Sequence, residues 1–175
     1  GKAEFKPRIG ATATGARQIL IAYNVNLNTS DKKKANTIAG AIRTSGVILR
    51  DDNGEKILSD DGKPTRKPGI FQHLQAAGWM YNQDIAQVSM NRLNHNVTGV
   101  HSVTDAIRIE AKKIGLEAVA GELVGLVPLG ALVSAGKHYH DEPDNADHAT
   151  LVQSAIQGLM LDELGEFDAH NSIIE

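Results

Sequence analysis

The chain contains no cysteine among its 175 residues. It therefore has no disulfide framework, no thiolate nucleophile and no zinc site built on sulfur. Secreted domains often depend on disulfides, whereas proteins of a reducing compartment do without them. We expect a cytoplasmic protein.

Aromatic residues are also scarce, and positive charges are not in excess. Phe, Trp and Tyr make up 4% of the chain, and the formal net charge is -3. Such a composition offers few rings on which bases stack and no basic stripe that follows a phosphate backbone. Nucleic acid is therefore not an expected partner.

Long apolar runs are missing as well. The apolar stretches are too short to cross a bilayer, and no leader peptide pattern is recognisable, so no membrane association is expected. Apolar residues nevertheless make up 41% of the chain, which is enough for the core of one globular domain. Because the sequence opens on Gly1 and Lys2 without an initiator methionine, we expect a fragment or a processed product.

Alternation with a period of two predicts the first strand, over residues 18–27. Its apolar side chains occupy every second position, namely Ile19, Ile21, Tyr23, Val25 and Leu27. A helix is predicted next, with Ser30 as its N-cap and apolar residues at helical spacing.

The remaining patterns predict strands at 70–81, 84–93 and 118–124 and a second long helix that starts near Ser102. The order strand, helix, strand, strand, helix, strand is that of a ferredoxin-like split βαβ domain (βαββαβ) of the α+β class. Both helices then cover one face of the sheet. Extra helices are predicted at the carboxy end, a short one opening at Pro128 and a last one over 147–164.

Residues 47–68 contain two turn-forming sequences, Asp-Asp-Asn-Gly and Ser-Asp-Asp-Gly. They predict an exposed hairpin or a mobile insertion. A calcium loop is disfavoured because the acidic residues lack the alternating spacing and the distal glutamate of an EF-hand.

Neutral polar side chains share one face of two predicted strands. Gln87, Ser89 and Asn91 alternate along one strand, and Asn24 and Asn26 alternate along another. Solvated sheet faces usually carry Lys, Glu and Thr, so amides and a hydroxyl indicate a face that hydrogen-bonds a ligand or another domain. The alternative is a polar face that is merely solvated.

Glu122 is a lone carboxylate in a strand that otherwise has a buried pattern. Two interpretations are open. It either binds a cationic group such as an amidine, or forms a structural ion pair with Arg17 or Arg92.

Seven histidines raise the question of metal binding or acid–base chemistry. His138 and His140 lie two apart beside acidic residues, but no third ligand is fixed by spacing, so a solvated loop is predicted there and no metal site. His95 and His101 flank a turn and are interpreted as ordinary polar contacts. No catalytic residue is assigned in this chain.

Several blocks of sequence form an ordered set of motifs. The first is Phe5-x-Pro7-x-x-Gly10-Ala11-Thr12-x-Thr14-Gly15-Ala16-Arg17. Later blocks are Leu74-Gln75-x-x-Gly78-Trp79, then Ala86-Gln87-Val88-Ser89-x-Asn91, then Glu122 to Leu132, and the closing Ile173-Ile174-Glu175. In this order they resemble the glutamate formimidoyltransferase family, also called formiminotransferases, and the first block resembles the segment joining the two halves of its members. The resemblance extends over nearly the whole chain, although the segment 47–68 is longer than the family's connection.

The resemblance implies a fold and an activity. Family members transfer the formimino group of N-formimino-L-glutamate to tetrahydrofolate, in histidine degradation and one-carbon metabolism. They consist of two ferredoxin-like halves whose sheets face each other, and they form homodimers. This chain is similar to the carboxy-terminal half, over residues 18–175, and the resemblance implies that the amino-terminal half with the family's catalytic histidine is missing.

The family's folate-binding segment lies just before the Gly-Ala-Thr block, so residues 1–17 are expected to join the halves and contact folate. The residues carried over are Gly1, Lys2, Ala3, Glu4, Phe5, Lys6 and Pro7. Phe5 and Pro7 match the motif directly, and the other five follow from register alone.

The resemblance also implies a role for the polar face. Asn24, Asn26, Gln87 and Asn91 would hold glutamate, formimino or pterin groups, and Glu122 would stabilise the cationic amidine. Two alternatives are open: a non-catalytic module for ligand binding or dimer assembly, and a transferase that uses a formyl donor instead.

Overall fold

The computed structural model describes residues 8, 12, 14–16 and 18–174. The folate-contacting segment predicted for residues 1–7 lies outside the described residues, and so does Arg17.

The described chain contains both strands and helices. The strands are β1 Ile21–Leu27, β2 Val47–Ile48, β3 Arg66–Lys67, β4 Leu74–Met80, β5 Ala86–Arg92, β6 Ala118–Val124, β7 Val127–Pro128 and β8 Ile173–Ile174. The helices are α1 Lys32–Ile42, α2 Val100–Lys113, α3 Leu129–Tyr139, α4 His148–Gly158 and α5 Ala169–Ser172. No helix in the described part of the chain is both long enough and apolar enough to span a membrane.

Four strands form one antiparallel sheet in the order β4-β5-β1-β6. The first long strand therefore lies at the centre, between the third and the fourth. This order is consistent with the split βαβ plan of a ferredoxin-like domain. The predicted α+β class, with one sheet packed against helices, is confirmed.

One face of the sheet is the core. In β1 the alternate side chains Ile21, Tyr23, Val25 and Leu27 are all fully buried, because α1 packs on β4 and β5 while α2 packs on β1 and β6. The Tyr23 hydroxyl donates a 3.0 Å hydrogen bond to the Leu159 carbonyl oxygen, which ties the carboxy-terminal segment to the centre of the sheet.

Two helix starts differ from the predicted positions. The N-cap of α1 is Asp31 rather than Ser30, because the Asp31 carboxylate accepts a hydrogen bond from the Lys33 amide. Helix α2 begins at Val100, before the predicted start near Ser102. Val100 is buried and extends the apolar stripe of α2 by one turn.

The carboxy-terminal helices α3 and α4 pack closely on each other. A Cβ on Gly136 would lie 2.0 Å from the Leu151 carbonyl oxygen, so only glycine permits this approach. The last helix was predicted to reach residue 164 but ends at Gly158. Met160, at φ +60°, closes it in a Schellman motif in which the Leu161 amide donates to the Ile156 carbonyl oxygen.

Residues 47–67 form a hairpin that stands away from the sheet. Strands β2 and β3 pair at its base, and bridges between Arg50 and Lys56 and between Leu58 and Pro64 continue it outward. Gly54 and Gly62 occupy the two turns with positive φ. Every residue from 50 to 64 is exposed.

Candidate functional site

The face of the sheet opposite the helices carries the polar side chains that the strand patterns placed together. Cross-strand partners in an antiparallel sheet point to the same side. Asn24 in β1 lies opposite Ser89 in β5 and Glu122 in β6, and Asn26 lies opposite Gln87. We call this surface the open face.

Asn24 and Glu122 are bonded to each other. The Asn24 side-chain Nδ2 donates a 2.9 Å hydrogen bond to Glu122 Oε2, and both residues are half-buried. The amide thereby fixes one carboxylate oxygen, while the other oxygen has no hydrogen bond within the described residues. A negatively charged oxygen is thus presented at the centre of the open face.

Of the open interpretations of Glu122, an ion pair with Arg92 is wrong. In β5, Arg92 alternates with the residues of the open face and lies opposite Ile21 of β1. Its side chain therefore points to the helix side of the sheet. The other proposed partner of Glu122, Arg17, lies outside the described residues.

Asn26 and Gln87 are buried although they belong to the open face. Their side chains retain 1% and 4% exposure. Within the described chain, Asn26 Nδ2 and Oδ1 and Gln87 Oε1 have no hydrogen-bond partner. An unpaired buried polar group costs about 1–3 kcal/mol, so this pair favours a ligand, a water or an opposing surface that completes it.

A cleft of about 490 Å³ lies over the same strands. Its floor is formed by Asn24, Gln87, Ser89 and Glu122. Trp79, which pairs with Gln87 across β4 and β5, stands at its side and is 60% exposed. The cleft therefore joins hydrogen-bonding groups to an aromatic surface, an arrangement suited to a planar polar ligand.

Trp79 is a candidate site residue that the sequence analysis does not single out, since it occurs there only as part of a family motif. Its position in the alternation of β4 indicates the site, because Trp79 and Gln87 lie on the same face of the sheet when β4 and β5 pair. The ammonium of Lys32 lies 4.8 Å from the Trp79 ring centre and holds one side of it.

Asn91 is separated from the other predicted residues. It is exposed near the opposite end of β5, beside Gln75 of β4, and lines a smaller depression. The structure thus brings Asn24, Gln87 and Glu122 into one cleft, places Asn26 next to Gln87, and leaves Asn91 outside that cleft.

The histidines of the sequence do not contribute to the open face cleft. His138 was predicted to lie in a solvated loop, but it belongs to α3, where its Nε2 lies 2.7 Å from Asp105 Oδ2. Its ring stacks on His101 at 4.7 Å. Burial, and then the neighbouring His138, lower the pKa of His101. Across the described ranges, no three His, Asp or Glu side chains are grouped in a way that would hold a metal ion.

The comparisons with known proteins all indicate the same family. The family model described as "Formiminotransferase domain" matches residues 22–175. The chain is 36% identical over its whole length to formimidoyltransferase-cyclodeaminase of Rattus norvegicus, of which it covers 30%.

Shorter relatives match as well. Glutamate formimidoyltransferase of Streptococcus pyogenes serotype M1 is 30% identical over 90% of this chain and 46% of its own length. That of Thermoplasma acidophilum is 34% identical over 79% of this chain and 40% of its own length. The chain therefore spans less than half of each of these relatives.

Proposed function

Because this chain belongs to the formiminotransferase domain family, we propose that it is the carboxy-terminal half of a glutamate formimidoyltransferase. In this proposal the complete protein moves the formimino group of N-formimino-L-glutamate to tetrahydrofolate, in the cytoplasm, as a step of histidine degradation. The names of the microbial relatives support this activity. The proposal includes no resident metal.

The observation that carries the proposal is the pair of buried, unpaired amides on the open face. Asn26 and Gln87 lie at a surface that the helices do not cover, yet Asn26 Nδ2 and Oδ1 and Gln87 Oε1 have no partner in the described chain. Such groups are tolerated where another surface or a ligand supplies the missing hydrogen bonds. An amino-terminal half opposite this face, with substrates between the two, would supply them.

The transfer itself requires orientation and the movement of a proton. A nitrogen of tetrahydrofolate attacks the amidine carbon, the carbon–nitrogen bond to glutamate breaks, and the departing amine takes up the proton that the attacking nitrogen loses. The species between these steps is tetrahedral and charged.

In this chain, the carboxylate of Glu122, held by Asn24, would stabilise the cationic amidine. Gln87 would hydrogen-bond a substrate amide or carboxylate, and the exposed ring of Trp79 would stack on a planar ring of the folate. The group that accepts and returns the proton would belong to the amino-terminal half. Asn91, outside the cleft, would act through the contact between the halves or between subunits of a homodimer.

The folate-contacting role of residues 1–7 rests on the resemblance of the motif. This segment precedes β1, whose residues Asn24 and Asn26 lie on the open face. Folate contacts from residues 1–7 would therefore complement those of the cleft.

A reconstitution experiment tests the proposal. The chain is combined with an amino-terminal half of a relative, and formimino transfer is measured for the wild type and for Asn24→Ala and Gln87→Ala. Both variants should lower kcat/KM, whereas Gln153→Ala, an exposed amide on α4, should not. Unchanged kinetics in the two face variants would refute the substrate role of the open face.

The same reconstitution separates the competing functions. If the combined halves bind tetrahydrofolate but transfer nothing from N-formimino-L-glutamate, a formyl donor is supplied in its place. If the chain forms stable dimers but no combination binds tetrahydrofolate, the open face is an assembly surface and the transferase proposal fails.

A further inference from the structure

Arg92 is fully buried on the helix side of the sheet, away from the open face. It is the last residue of β5, and its exposed fraction is 0%. The turn that follows the strand returns Thr98 toward it, and Arg92 Nε donates a 3.1 Å hydrogen bond to the Thr98 carbonyl oxygen. Within the described residues, Nη1 and Nη2 have no partner.

Among the residues that the structure describes, no carboxylate balances the charge of this guanidinium. None of the ion pairs in the described chain includes Arg92. Burial lowers the pKa of Arg92 to about 10, which still leaves the group protonated at neutral pH. The pKa of His95 is lowered by burial and then by the positive charge of Arg92. A buried cation that has lost water without gaining a counter-charge is costly, so an anion is the missing partner.

A cavity of about 140 Å³ lies beside this side chain, between the amino-terminal ends of two helices. Gly99 and Val100 are the N-cap and first residue of α2, and Gly130 and Ala131 lie in the first turn of α3. Neither N-cap, Gly99 nor Pro128, makes a side-chain capping hydrogen bond. The first-turn amides of both helices therefore add partial positive charge to that of Arg92.

We propose that this cavity binds a carboxylate group, held by the two terminal nitrogens of Arg92 and by amides at the starts of α2 and α3. The planar fork of a guanidinium matches the two oxygens of a carboxylate. The small volume suits one such group rather than a large ligand. The site lies on the opposite side of the sheet from the cleft, so it does not rest on the proposed transferase function.

The carboxylate has two possible sources, a free small acid or an acidic side chain of another copy of this chain. Backbone amide spectra of the full 175-residue chain, recorded during a titration with sodium acetate at constant ionic strength, test the first. A free acid should shift the amides of Gly99, Val100, Gly130 and Ala131 in a saturable way. A side chain from a second copy should shift the same amides on concentration without acetate.

A tethered carboxylate provides the decisive variant. Ser134 lines the cavity, is exposed and is the sixth residue of the eleven-residue α3. Ser134→Asp should abolish the saturable response and raise the melting temperature, because the new carboxylate occupies the site. Gln153→Asp is the matched control, since Gln153 is the exposed sixth residue of the eleven-residue α4. It should leave the response unchanged.

Three results would overturn the proposal. The first is the absence of any saturable shift at these four amides, with acetate or on concentration. The second is a response that survives in Ser134→Asp. The third is a clear preference for phosphate over acetate in a parallel titration, which would assign the cavity to a different class of anion.

Discussion

Asn24 donates its side-chain hydrogen bond to Glu122 across β1 and β6, over 2.9 Å and a separation of 98 residues along the chain. Neither residue belongs to the helix side, and both line the same cleft. The contact fixes the direction in which a negative charge is offered to a ligand. Its effect is therefore expected in binding and transfer more than in folding.

Glu122→Gln tests that charge. It keeps the size of the side chain and removes the attraction that we propose for the cationic amidine. A hydrogen bond to a charged group is worth about 1.5–3 kcal/mol, so kcat/KM of the reconstituted enzyme should fall about ten- to a hundredfold. Glu117→Gln, an exposed carboxylate before β6, is the control and should leave the kinetics unchanged. Equal kinetics for both variants would remove Glu122 from the site.

Asn26→Leu and Gln87→Leu should separate stability from function. The first removes Asn26 Nδ2 and Oδ1 and the second removes Gln87 Oε1, which are buried without a partner in the described chain. The free energy of unfolding of the chain alone should therefore rise by about 1–3 kcal/mol, measured by urea denaturation. Transfer by the reconstituted enzyme should fall.

Asn24→Leu provides the contrast, because Asn24 is already bonded to Glu122 and only half-buried. It should not stabilise the chain. If Asn26→Leu and Gln87→Leu are destabilising, their amides are satisfied in the chain alone and do not indicate an opposing surface.

Trp79→Ala addresses the aromatic side of the cleft. The ring is largely exposed, so its loss should change the unfolding free energy little. If the ring stacks on folate, the affinity of the reconstituted protein for tetrahydrofolate should fall about two- to tenfold, as expected for a contribution of about 0.5–1.5 kcal/mol. Equilibrium titration measures this, and Trp79→Phe should retain most of the affinity. Equal affinities for wild type and Trp79→Ala would exclude stacking.

The strands were predictable because their pattern is local. The apolar alternation of β1 defines its buried face, and the same parity places Asn24 and Asn26 on the other face. The bounds predicted for β6, 118–124, agree with the structure for the same reason. The family of the chain was predictable as well, because its motifs are short blocks of consecutive residues.

The pairing of strands and the surroundings of single side chains could not be predicted in this way. The bond from Asn24 to Glu122 depends on the register of β1 with β6, which no local pattern specifies. Arg92 and Glu122 lie on opposite faces of the sheet, and this follows only once the registers of β5 and β6 with β1 are known. The burial of Gln87 beside an exposed Trp79 likewise depends on how β4 covers the edge of β5.

Tyr23→Phe tests the contact that ties the carboxy-terminal segment to the sheet. The Tyr23 hydroxyl is fully buried, donates to the Leu159 carbonyl oxygen and accepts a 3.2 Å hydrogen bond from Thr104 Oγ1. Burial raises its pKa to about 12. The variant leaves a buried carbonyl without its donor and should lower the unfolding free energy by about 1–3 kcal/mol. Tyr81→Phe, at an exposed position, should be neutral, and equal effects of both changes would contradict this role.

Acid should destabilise the chain through His95 and His101. Burial, the largest cause for both, lowers their pKa values below the ordinary value of about 6.5. Between the folded and unfolded pKa values the unfolded state binds more protons, so their contribution to stability is complete above about pH 6.5 and is lost as the pH falls through the folded values. Urea denaturation from about pH 7.5 to about pH 5.5 should show this loss, and His101→Gln should reduce its slope. His170→Gln, at an exposed position, should leave the slope unchanged, whereas an unchanged slope in His101→Gln would place the acid sensitivity elsewhere.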